Sequence, residues 1–319
     1  MDELEFSEDT LAEVEQAAAV MRLDSNETAF FARELERVKS RTFDIKYPAL
    51  KARSLIPVSH DASPTDETIT YQQWDAQGMA IVLSHWADNV PRVELAGKEF
   101  TVKIKEIGNE FGYSINEMRK SIAVGRSLPD RKAQKAREFI ERAIDQVGAI
   151  GIPEANSYGL VNNPNVPLLV LPTGTWASAT AEQILADMNY MVSQIVVNSK
   201  QTEEPDTMVL PTDLFMIVSQ KVAGSDLRDT ILGIFLKTNP YIRTVETWVK
   251  LDTANAAGTD GRIVCYKRDP NILELEIAGE FEMGAPLAEK RGFSVQCSAW
   301  VAGVQVYYPL GMAYADNAG

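Results

Sequence analysis

The side chains that most often carry catalysis are scarce in this chain. It contains two histidines, His60 and His85, and two cysteines, Cys265 and Cys297. A histidine general base, a Ser-His-Asp triad or a histidine-rich metal site would have to use one of those two histidines. Each cysteine is flanked by apolar residues at strand spacing, which is typical of an inert buried thiol. This scarcity argues against a hydrolase or a metalloenzyme.

The motifs that bind nucleotides or zinc, or that activate a serine, do not occur in the sequence. No Gly-x-Gly-x-x-Gly follows a strand, and phosphate-loop, His-Glu-x-x-His, Cys-x-x-Cys and Gly-x-Ser-x-Gly patterns are missing. Paired carboxylates occur at Glu203-Glu204 and Glu280/Glu282, but a glycosidase needs such groups to face each other across a cleft. We predict no catalytic residue, cofactor or metal site, and keep an acidic cytosolic carboxylate-based hydrolase as a distant alternative.

The composition is that of a globular protein with an acidic balance. Of the 319 residues 45% are hydrophobic and 24% charged, and the formal net charge is −14. Contacts to duplex phosphates need clustered Lys and Arg, so this balance argues against a sequence-specific DNA binder. No apolar run reaches the ~18–20 residues that span a bilayer, and the N-terminus is acidic where a signal peptide is basic. The sequence therefore predicts synthesis in a reducing cytosol and no membrane partner.

The N-terminal region has the pattern of two amphipathic helices. Residues 8–23 place Leu11, Val14 and Met21 at helical spacing, and a second short helix has Phe31 and Leu35 on one side. Such helices rarely form a core by themselves. They either lie on the domain that follows or pack on a neighbouring subunit, and the pattern leaves both open.

Residues 68–108 predict a long β-hairpin with a broad tip. Thr68–Tyr71 and Phe100–Ile107 alternate apolar and polar residues, and Met79–Leu83 is an apolar strand candidate. A two-stranded hairpin is marginal in water unless something covers one of its faces. It therefore either folds back on its own domain or contacts a partner.

Helices and mixed strands follow the hairpin. Ser114 is placed to cap a helix through Val124, and a helix over 127–148, about 30 Å long, ends at a C-cap glycine, Gly148. A capping box that begins at Thr180 opens an apolar helix over 181–198. Later strand candidates are 206–210, 243–251, 262–266, 273–277 and 293–308. This order of elements predicts an α+β fold.

The order of elements resembles the Hong Kong 97-type major capsid protein of tailed bacteriophages. Residues 159–166, Gly-Leu-Val-Asn-Asn-Pro-Asn-Val, are similar to the Gly-Leu-x-Asn-x-Pro turn that many of these proteins carry after their spine helix. Residues 205–211 resemble the strand and turn that precede the family's axial domain. The resemblance covers nearly the whole chain and is strongest to a phage subfamily long filed as a domain of unknown function.

The resemblance implies a division of the chain. Its segments would be an N-terminal arm (1–67), an extended loop formed by the β-hairpin (68–108), a peripheral domain (109–219) with spine helix 127–148, an axial domain (220–290), and a return to the peripheral domain (291–319). It also implies a structural, non-enzymatic protein that self-assembles into an icosahedral phage head around double-stranded DNA. An encapsulin-like nanocompartment shell has the same fold and is the nearer alternative.

The partners that the resemblance implies are other copies of the chain in hexamers and pentamers, a portal protein, and scaffolding or decoration proteins. Residues 1–25 are too short for the scaffolding segment that some relatives carry, so a separate scaffolding protein or none is expected.

The protein would reside in the virion capsid after synthesis in the bacterial host cytoplasm. Acidic side chains are expected to outnumber basic ones on the lumenal face, so that the wall does not adhere to DNA. The inter-subunit contact candidates are Leu11, Val14, Met21, Phe31, Leu35, Trp74, Met79, Ile81, Leu83, Trp86, Val93 and Phe100.

Overall fold

The computed structural model describes residues 47–82, 91–124, 128–223, 229–255 and 258–316. The chain divides into two units, 1–47 and 48–319, and every element named below belongs to the second. The two predicted arm helices lie outside the described residues. The α-helices of the described part are α1 (Ala52–Leu55), α2 (Ile115–Val124), α3 (Leu128–Ile150), α4 (Ala181–Asn198), α5 (Thr212–Gln220) and α6 (Ile231–Thr238). Short 3-10 helices cover Pro153–Ala155, Val249–Leu251 and Pro309–Gly311.

The strands of the described part form five sheets, two of them two-stranded. They are β1 (Val58–Ser59), β2 (Thr68–Gln77), β3 (Glu94–Lys103), β4 (Lys105–Ser114), β5 (Leu168–Leu169), β6 (Thr207–Leu210), β7 (Val222–Ala223), β8 (Asp229–Thr230), β9 (Thr244–Thr247), β10 (Arg262–Tyr266), β11 (Leu273–Glu276), β12 (Gly279–Met283), β13 (Leu287–Glu289), β14 (Gly292–Val301), β15 (Gly303–Val306) and β16 (Met312–Asp316). Helices and strands are mixed along the chain, which confirms the predicted α+β class.

Strands β2 and β3 form the predicted hairpin. They pair antiparallel from Thr68 opposite Lys103 to Gln77 opposite Glu94, a ribbon about 33 Å long. The predicted strand at Met79–Leu83 is wrong over its described part, because the ladder ends at Gln77 and residues 78–82 have no regular secondary structure. Leu83 lies outside the described residues.

The predicted single strand at Phe100–Ile107 consists of two strands that belong to different sheets. β3 and β4 meet at Ile104, which is buried beside Ala302 and donates its backbone N–H to the carbonyl of Glu67 at 2.9 Å. The inward-facing residues are even-numbered up to Ile104 and odd-numbered from Ile107. At Ile104 the side of the strand that faces the core therefore switches from even-numbered to odd-numbered residues. The hairpin ends at residue 103 rather than 108.

The long strand β14 organises a sheet on which α3 packs. β14 pairs with β4 along its whole length, and its other edge pairs first with β13 and then with β12. Helix α3 has 23 residues, about 35 Å, and buries Ile140 and Ile144 in the same cluster as Val295 and Ala299 of β14. This confirms both the predicted long helix and the alternation predicted for the strand.

The end of α3 differs from the prediction. The helix continues past Gly148 to Ile150, and Gly151, with a φ of 80°, occupies the left-handed position that follows a helix. Gly148 lies instead where α1 crosses α3, since a Cβ built on it would stand 2.7 Å from the Cβ of Ala52. That glycine serves a close helix approach rather than a helix end.

A five-stranded mixed sheet has the order β5-β16-β10-β6-β9. Its outer pairs, β5–β16 and β6–β9, are parallel, and its inner pairs are antiparallel. Helices α4, α5 and α6 contribute Met188, Leu214 and Phe235 to one hydrophobic cluster with Cys265 of this sheet. Because β6 pairs with both β9 and β10, the strands on either side of the predicted boundary at 219/220 belong to one sheet.

Two helix starts form as the sequence predicts. The Thr180 hydroxyl accepts the N–H of Gln183 at 3.3 Å, and the Gln183 amide oxygen accepts the N–H of Thr180 at 2.8 Å. Ser114 and Glu117 make the same reciprocal pair of bonds at the start of α2, each at 3.1 Å.

None of the described helices has both the length and the apolar composition that crossing a membrane requires.

The three-stranded sheet β1-β11-β15 lies beside the base of the hairpin. β1 runs parallel to β11, and β15 runs antiparallel to it. Leu273 and Leu275 of β11 point into the cluster that contains α3. Glu274 alternates with them, lies opposite Gln305 of β15 and is bonded to Tyr307. The hairpin touches this sheet at the end of β15, where the Tyr71 hydroxyl donates to the carbonyl of Val306.

Candidate inter-subunit surface

The inner half of the hairpin, residues 68–71 and 100–103, is anchored by aromatic rings. The ring of Tyr71 stacks on Phe100 with centroids 5.1 Å apart and meets Tyr307 edge-on at 4.9 Å. The Tyr71 hydroxyl donates to the carbonyl of Val306 at 3.5 Å, and burial raises the pKa of this phenol. These contacts fix the direction in which the hairpin leaves the rest of the described chain.

The outer half of the hairpin, residues 72–77 and 94–99, is exposed at every position. Trp74 is 65% exposed and lies over Gly97 of the facing strand. Large apolar side chains continue into the stretches that flank the outer half, and we name this set the outer-hairpin surface. It consists of Trp74, Met79, Ile81, Val82, Val93 and Leu95.

The outer-hairpin surface has the properties of a protein contact. A two-stranded ribbon with water on both faces is marginal, and clustered exposed apolar side chains mark interaction surfaces. Val82 is fully exposed, as are large parts of Val93, directly before β3, and Leu95, its second residue. Burial of such side chains against another protein would remove their apolar area from water.

The structure places the predicted contact candidates in two environments. Trp74, Met79, Ile81 and Val93 are exposed, whereas Phe100 packs on Tyr71. Sequence reasoning missed Val82 and Leu95, although the two-residue spacing of Val93 and Leu95 could have revealed the latter. The candidates that lie outside the described residues are Leu11, Val14, Met21, Phe31, Leu35, Leu83 and Trp86.

The one described histidine belongs to an ion-pair network. His60 Nε2 lies 3.8 Å from Glu280, and His60 Nδ1 lies 2.8 Å from the carbonyl of Ile277. Arg53 donates two bonds to the same carboxylate, at 2.7 and 2.8 Å, and a third to Glu141 of α3 at 3.1 Å. The hydrogen bond from Arg53 lowers the pKa of Glu280. The network ties α1 and the segment after it to α3 and β12.

The carboxylates and cysteines that the sequence analysis considered for catalysis are ion-paired, exposed or buried in the structure. Glu203 pairs with Lys267 at 2.9 Å, and Glu282 is exposed on β12. Cys265 and Cys297 are buried, and burial raises the pKa of both thiols. Over the described ranges no three His, Cys, Asp or Glu side chains are grouped so that they could hold a metal ion. His85 lies outside those ranges.

The turn after α3 is held together by hydrogen bonds of Asn162. Asn162 accepts the N–H of Gly159 and donates to the carbonyl of Ile150, both at 2.8 Å. A Cβ at Gly159 would overlap the carbonyl of Ala149, so the turn needs glycine there. The Gly-Leu-x-Asn pattern at 159–162 thus folds the chain back on the end of α3.

Comparisons with known proteins agree on one family and one fold. The sequence model of the major capsid protein family matches residues 78–317. Compared by sequence, no curated protein matches the chain. The capsid of Myoviridae phage XM1 is 17% identical and superposes with a TM-score of 0.80, covering 91% of this chain and 99% of that one.

Two further solved structures extend the comparison. The capsid of an empty GTA particle is 12% identical with a TM-score of 0.61, covering 93% of this chain and 100% of that one. A virus-like particle from Pyrococcus furiosus is 13% identical with a TM-score of 0.54, covering 82% and 90%. At such low identities these likenesses show the fold, and they confirm the predicted Hong Kong 97-type fold.

The family match extends over most of the chain and adds the role to the fold. Its members are structural, non-enzymatic proteins of the virion capsid that associate with copies of themselves into a shell. The chain belongs to the major capsid protein family.

Proposed function

We propose that the chain is the shell subunit of a tailed-bacteriophage head, arranged in hexamers and pentamers around double-stranded DNA. The observation that carries this proposal is the outer-hairpin surface, whose apolar side chains are exposed to water on a ribbon of only two strands. If the hairpin lies across a second copy, this apolar area leaves the water and the ribbon gains the support that it lacks alone. The capsid family and the fold support the icosahedral assembly.

The segment boundaries in this proposal follow the hydrophobic clusters. The axial domain would comprise the five-stranded sheet with α4, α5 and α6, which pack on one face of it. The other face, with Val264 and Tyr266, belongs to the α3 cluster. The peripheral domain would comprise spine helix α3 with β4, β14 and the three-stranded sheet. The extended loop would be 68–103. The N-terminal arm would end before α1, because Ala52, Leu55 and Ile56 are buried in the α3 cluster.

Several further partners belong to the proposal. A portal protein would occupy one vertex, scaffolding or decoration proteins would attach during or after assembly, and synthesis would take place in the bacterial host cytoplasm. The charge of −14 per subunit supports an inner wall that encloses DNA without binding it tightly. A basic lumenal face in an assembled shell would contradict this last point.

The test is the assembly state of the purified full-length protein. Size-exclusion chromatography with negative-stain microscopy should show closed shells, and virions should contain this chain around nuclease-protected DNA. A monomer under all conditions, with no such chain in virions, would overturn the proposal. Particles that hold a cargo protein in place of DNA, without a portal, would favour the nanocompartment alternative.

The role of the hairpin is tested with a double variant, Val93→Ser with Leu95→Ser. Both side chains are exposed in the subunit, so we expect its unfolding to change by less than about 0.5 kcal/mol while shell formation is lost. Val197→Ser removes an exposed apolar side chain from α4 and is the control. Normal shells from the double variant would exclude the outer-hairpin surface as the contact.

A further inference from the structure

The pairing register gives the β2–β3 ribbon two faces that carry different side chains. Residues directly opposite each other across an antiparallel ladder lie on the same face, and neighbours along a strand lie on opposite faces. One face therefore contains Trp74, the even-numbered residues of β2 and the odd-numbered residues of β3, and we name it the Trp74 face. The other contains Tyr71, the odd-numbered residues of β2 and the even-numbered residues of β3, and we name it the Tyr71 face.

In the inner half of the hairpin the apolar face is the Tyr71 face. Its residues are each partly buried by the rest of the chain, and they are Ile69, Tyr71, Phe100 and Val102. Two of them pack beside the buried Ile104, and the two aromatic rings stack on each other. The Trp74 face of the inner half is polar and exposed, with Thr68, Thr70, Thr101 and Lys103.

The outer half reverses this pattern. Beyond Gln72 and Glu99, whose side chains are hydrogen-bonded at 2.8 Å, the Trp74 face has only apolar or small residues. The pattern continues past the ladder, because a Cβ on Gly78 would stand 2.9 Å from the side chain of Val93. These exposed residues are Trp74, Ala76, Gly78, Val93, Leu95 and Gly97. The Tyr71 face of the outer half is polar apart from Ala96, with Gln73, Asp75, Gln77, Glu94 and Lys98.

The two faces of the outer half differ in what a contact would bury. A partner on the Trp74 face would remove apolar area from water without burying a charge of the ribbon. A partner on the Tyr71 face would desolvate Asp75, Glu94 and Lys98, which is unfavourable unless each charge is paired. The reversal therefore favours a contact on one face only.

A second copy of the chain is the partner that can make this contact. Members of the major capsid protein family associate with copies of themselves, so the neighbours of each hairpin in a shell are other copies. The chain also offers an uncharged surface, since residues 283–288, Met-Gly-Ala-Pro-Leu-Ala, are exposed at every position. We propose that a second copy covers the Trp74 face of the outer half and leaves the Tyr71 face in water. This inference rests on the proposed function, which does not specify a face.

Two alanines of the outer half allow the same substitution on each face. Ala76 lies opposite Leu95 on the Trp74 face, Ala96 lies opposite Asp75 on the Tyr71 face, and both alanines are exposed. Ala76→Cys and Ala96→Cys each add an exposed thiol to a chain whose own two cysteines are buried. Each variant is mixed with an excess of wild-type subunits, so that shell formation does not depend on it.

Labelling with a thiol reagent reads out the covered face. As unassembled subunits both variants should react at once, because neither thiol is covered. In shells assembled from purified protein alone, labelling of Ala76→Cys should be lost and labelling of Ala96→Cys should persist.

Lysine at the same positions measures the difference through assembly. Ala76→Lys and Ala96→Lys change the net charge equally at exposed positions, so both unassembled subunits should keep the denaturant midpoint of the wild type. On the Trp74 face the contact would bury an unpaired ammonium group, and the apparent critical concentration for assembly should rise about tenfold. Ala96→Lys should leave that concentration unchanged.

The outcomes separate this inference from the proposed function. Wild-type shells in which the two thiols are equally labelled, or in which only Ala96→Cys is protected, would overturn the one-sided contact and leave the shell-forming role intact. Equal effects of the two lysine substitutions would overturn it as well. Protection of Ala76→Cys only after another virion protein is added would overturn the second copy as the partner. Absence of wild-type shells under all conditions would overturn the proposed function and this inference with it.

Discussion

Arg262 and Asp316 form a two-bond ion pair between β10 and the C-terminal strand β16. The Nε–Oδ1 and Nη2–Oδ2 distances are 2.6 and 2.9 Å. Arg262 is 8% exposed, and its Nη1 also donates to the carbonyl of Val161 at 2.8 Å. This one guanidinium therefore joins the last strand to the turn that follows the spine helix.

Removal of this guanidinium should be costly. Arg262→Met should lower the free energy of unfolding of the unassembled subunit by about 3 kcal/mol, because Asp316 loses its cation in a largely buried place. Denaturant unfolding measures the change. Arg243 is exposed, and Arg243→Met should change the free energy by less than about 0.5 kcal/mol. Equal effects of the two substitutions would contradict the structural role of the pair.

The packing of Trp74 on Gly97 predicts a local spectroscopic change. A Cβ on Gly97 would stand 2.9 Å from the indole, so Gly97→Ala should displace the ring and alter the near-ultraviolet circular dichroism. Because the ring lies on an exposed ribbon and can move, the subunit should lose less than about 1 kcal/mol of stability. Gly112→Ala, where a Cβ would meet Phe293 at an ordinary 3.5 Å, is the control. An unchanged spectrum for Gly97→Ala would mean that the indole does not rest there in solution.

The ion pair between Glu280 and Arg53 should make the stability of the subunit depend on pH. Its pKa is lowered from the ordinary 4.5, chiefly by the hydrogen bond from Arg53. A carboxylate with a lowered pKa in the folded state contributes stability above pH 4.5 that is lost as the pH falls through the folded value. Glu280→Gln should therefore be destabilised at neutral pH, and its difference from the wild type should shrink below pH 4.5.

Denaturant midpoints measured between about pH 3 and pH 7 check this sign. Glu282→Gln removes a carboxylate from the same strand without touching Arg53, and is the matched control. A difference between wild type and Glu280→Gln that grows toward acid pH would contradict the pairing with Arg53.

The two cysteines should not react with thiol reagents in the folded protein. Cys265 and Cys297 are 0% and 1% exposed, and burial raises the pKa of both thiols, so almost no thiolate forms at pH 8. A chromogenic disulfide reagent should react with neither until denaturant is added, and then with both. Ser178→Cys, at an exposed position, should react at once and serves as the positive control.

The elements that could be predicted from the sequence depend on neighbours a few residues apart. The capping box of Thr180 and Gln183 forms within four residues, and the helix it opens has the predicted bounds, 181–198. The alternation around Val295 and Ala299 likewise appears in the structure as a buried face of β14. In each case the bonding partner or the periodicity lies inside the segment itself.

The features that the sequence did not reveal depend on contacts between distant residues. Phe100 and Val93 are both predicted as inter-subunit contacts, yet Phe100 packs on Tyr71, which also meets Tyr307, whereas Val93 is exposed. Gly148 has the local sequence context of a helix end, but the close approach of Ala52 explains why this position is glycine.

By itself the sequence determined the α+β class, the long helix, the hairpin and the lack of known catalytic motifs, because short-range patterns encode these features. Only the tertiary structure decided where the hairpin ends, which strands share a sheet and which side chains are buried. Burial and electrostatic environment are sums over all neighbours in space. A one-dimensional pattern does not contain those neighbours until the chain has folded.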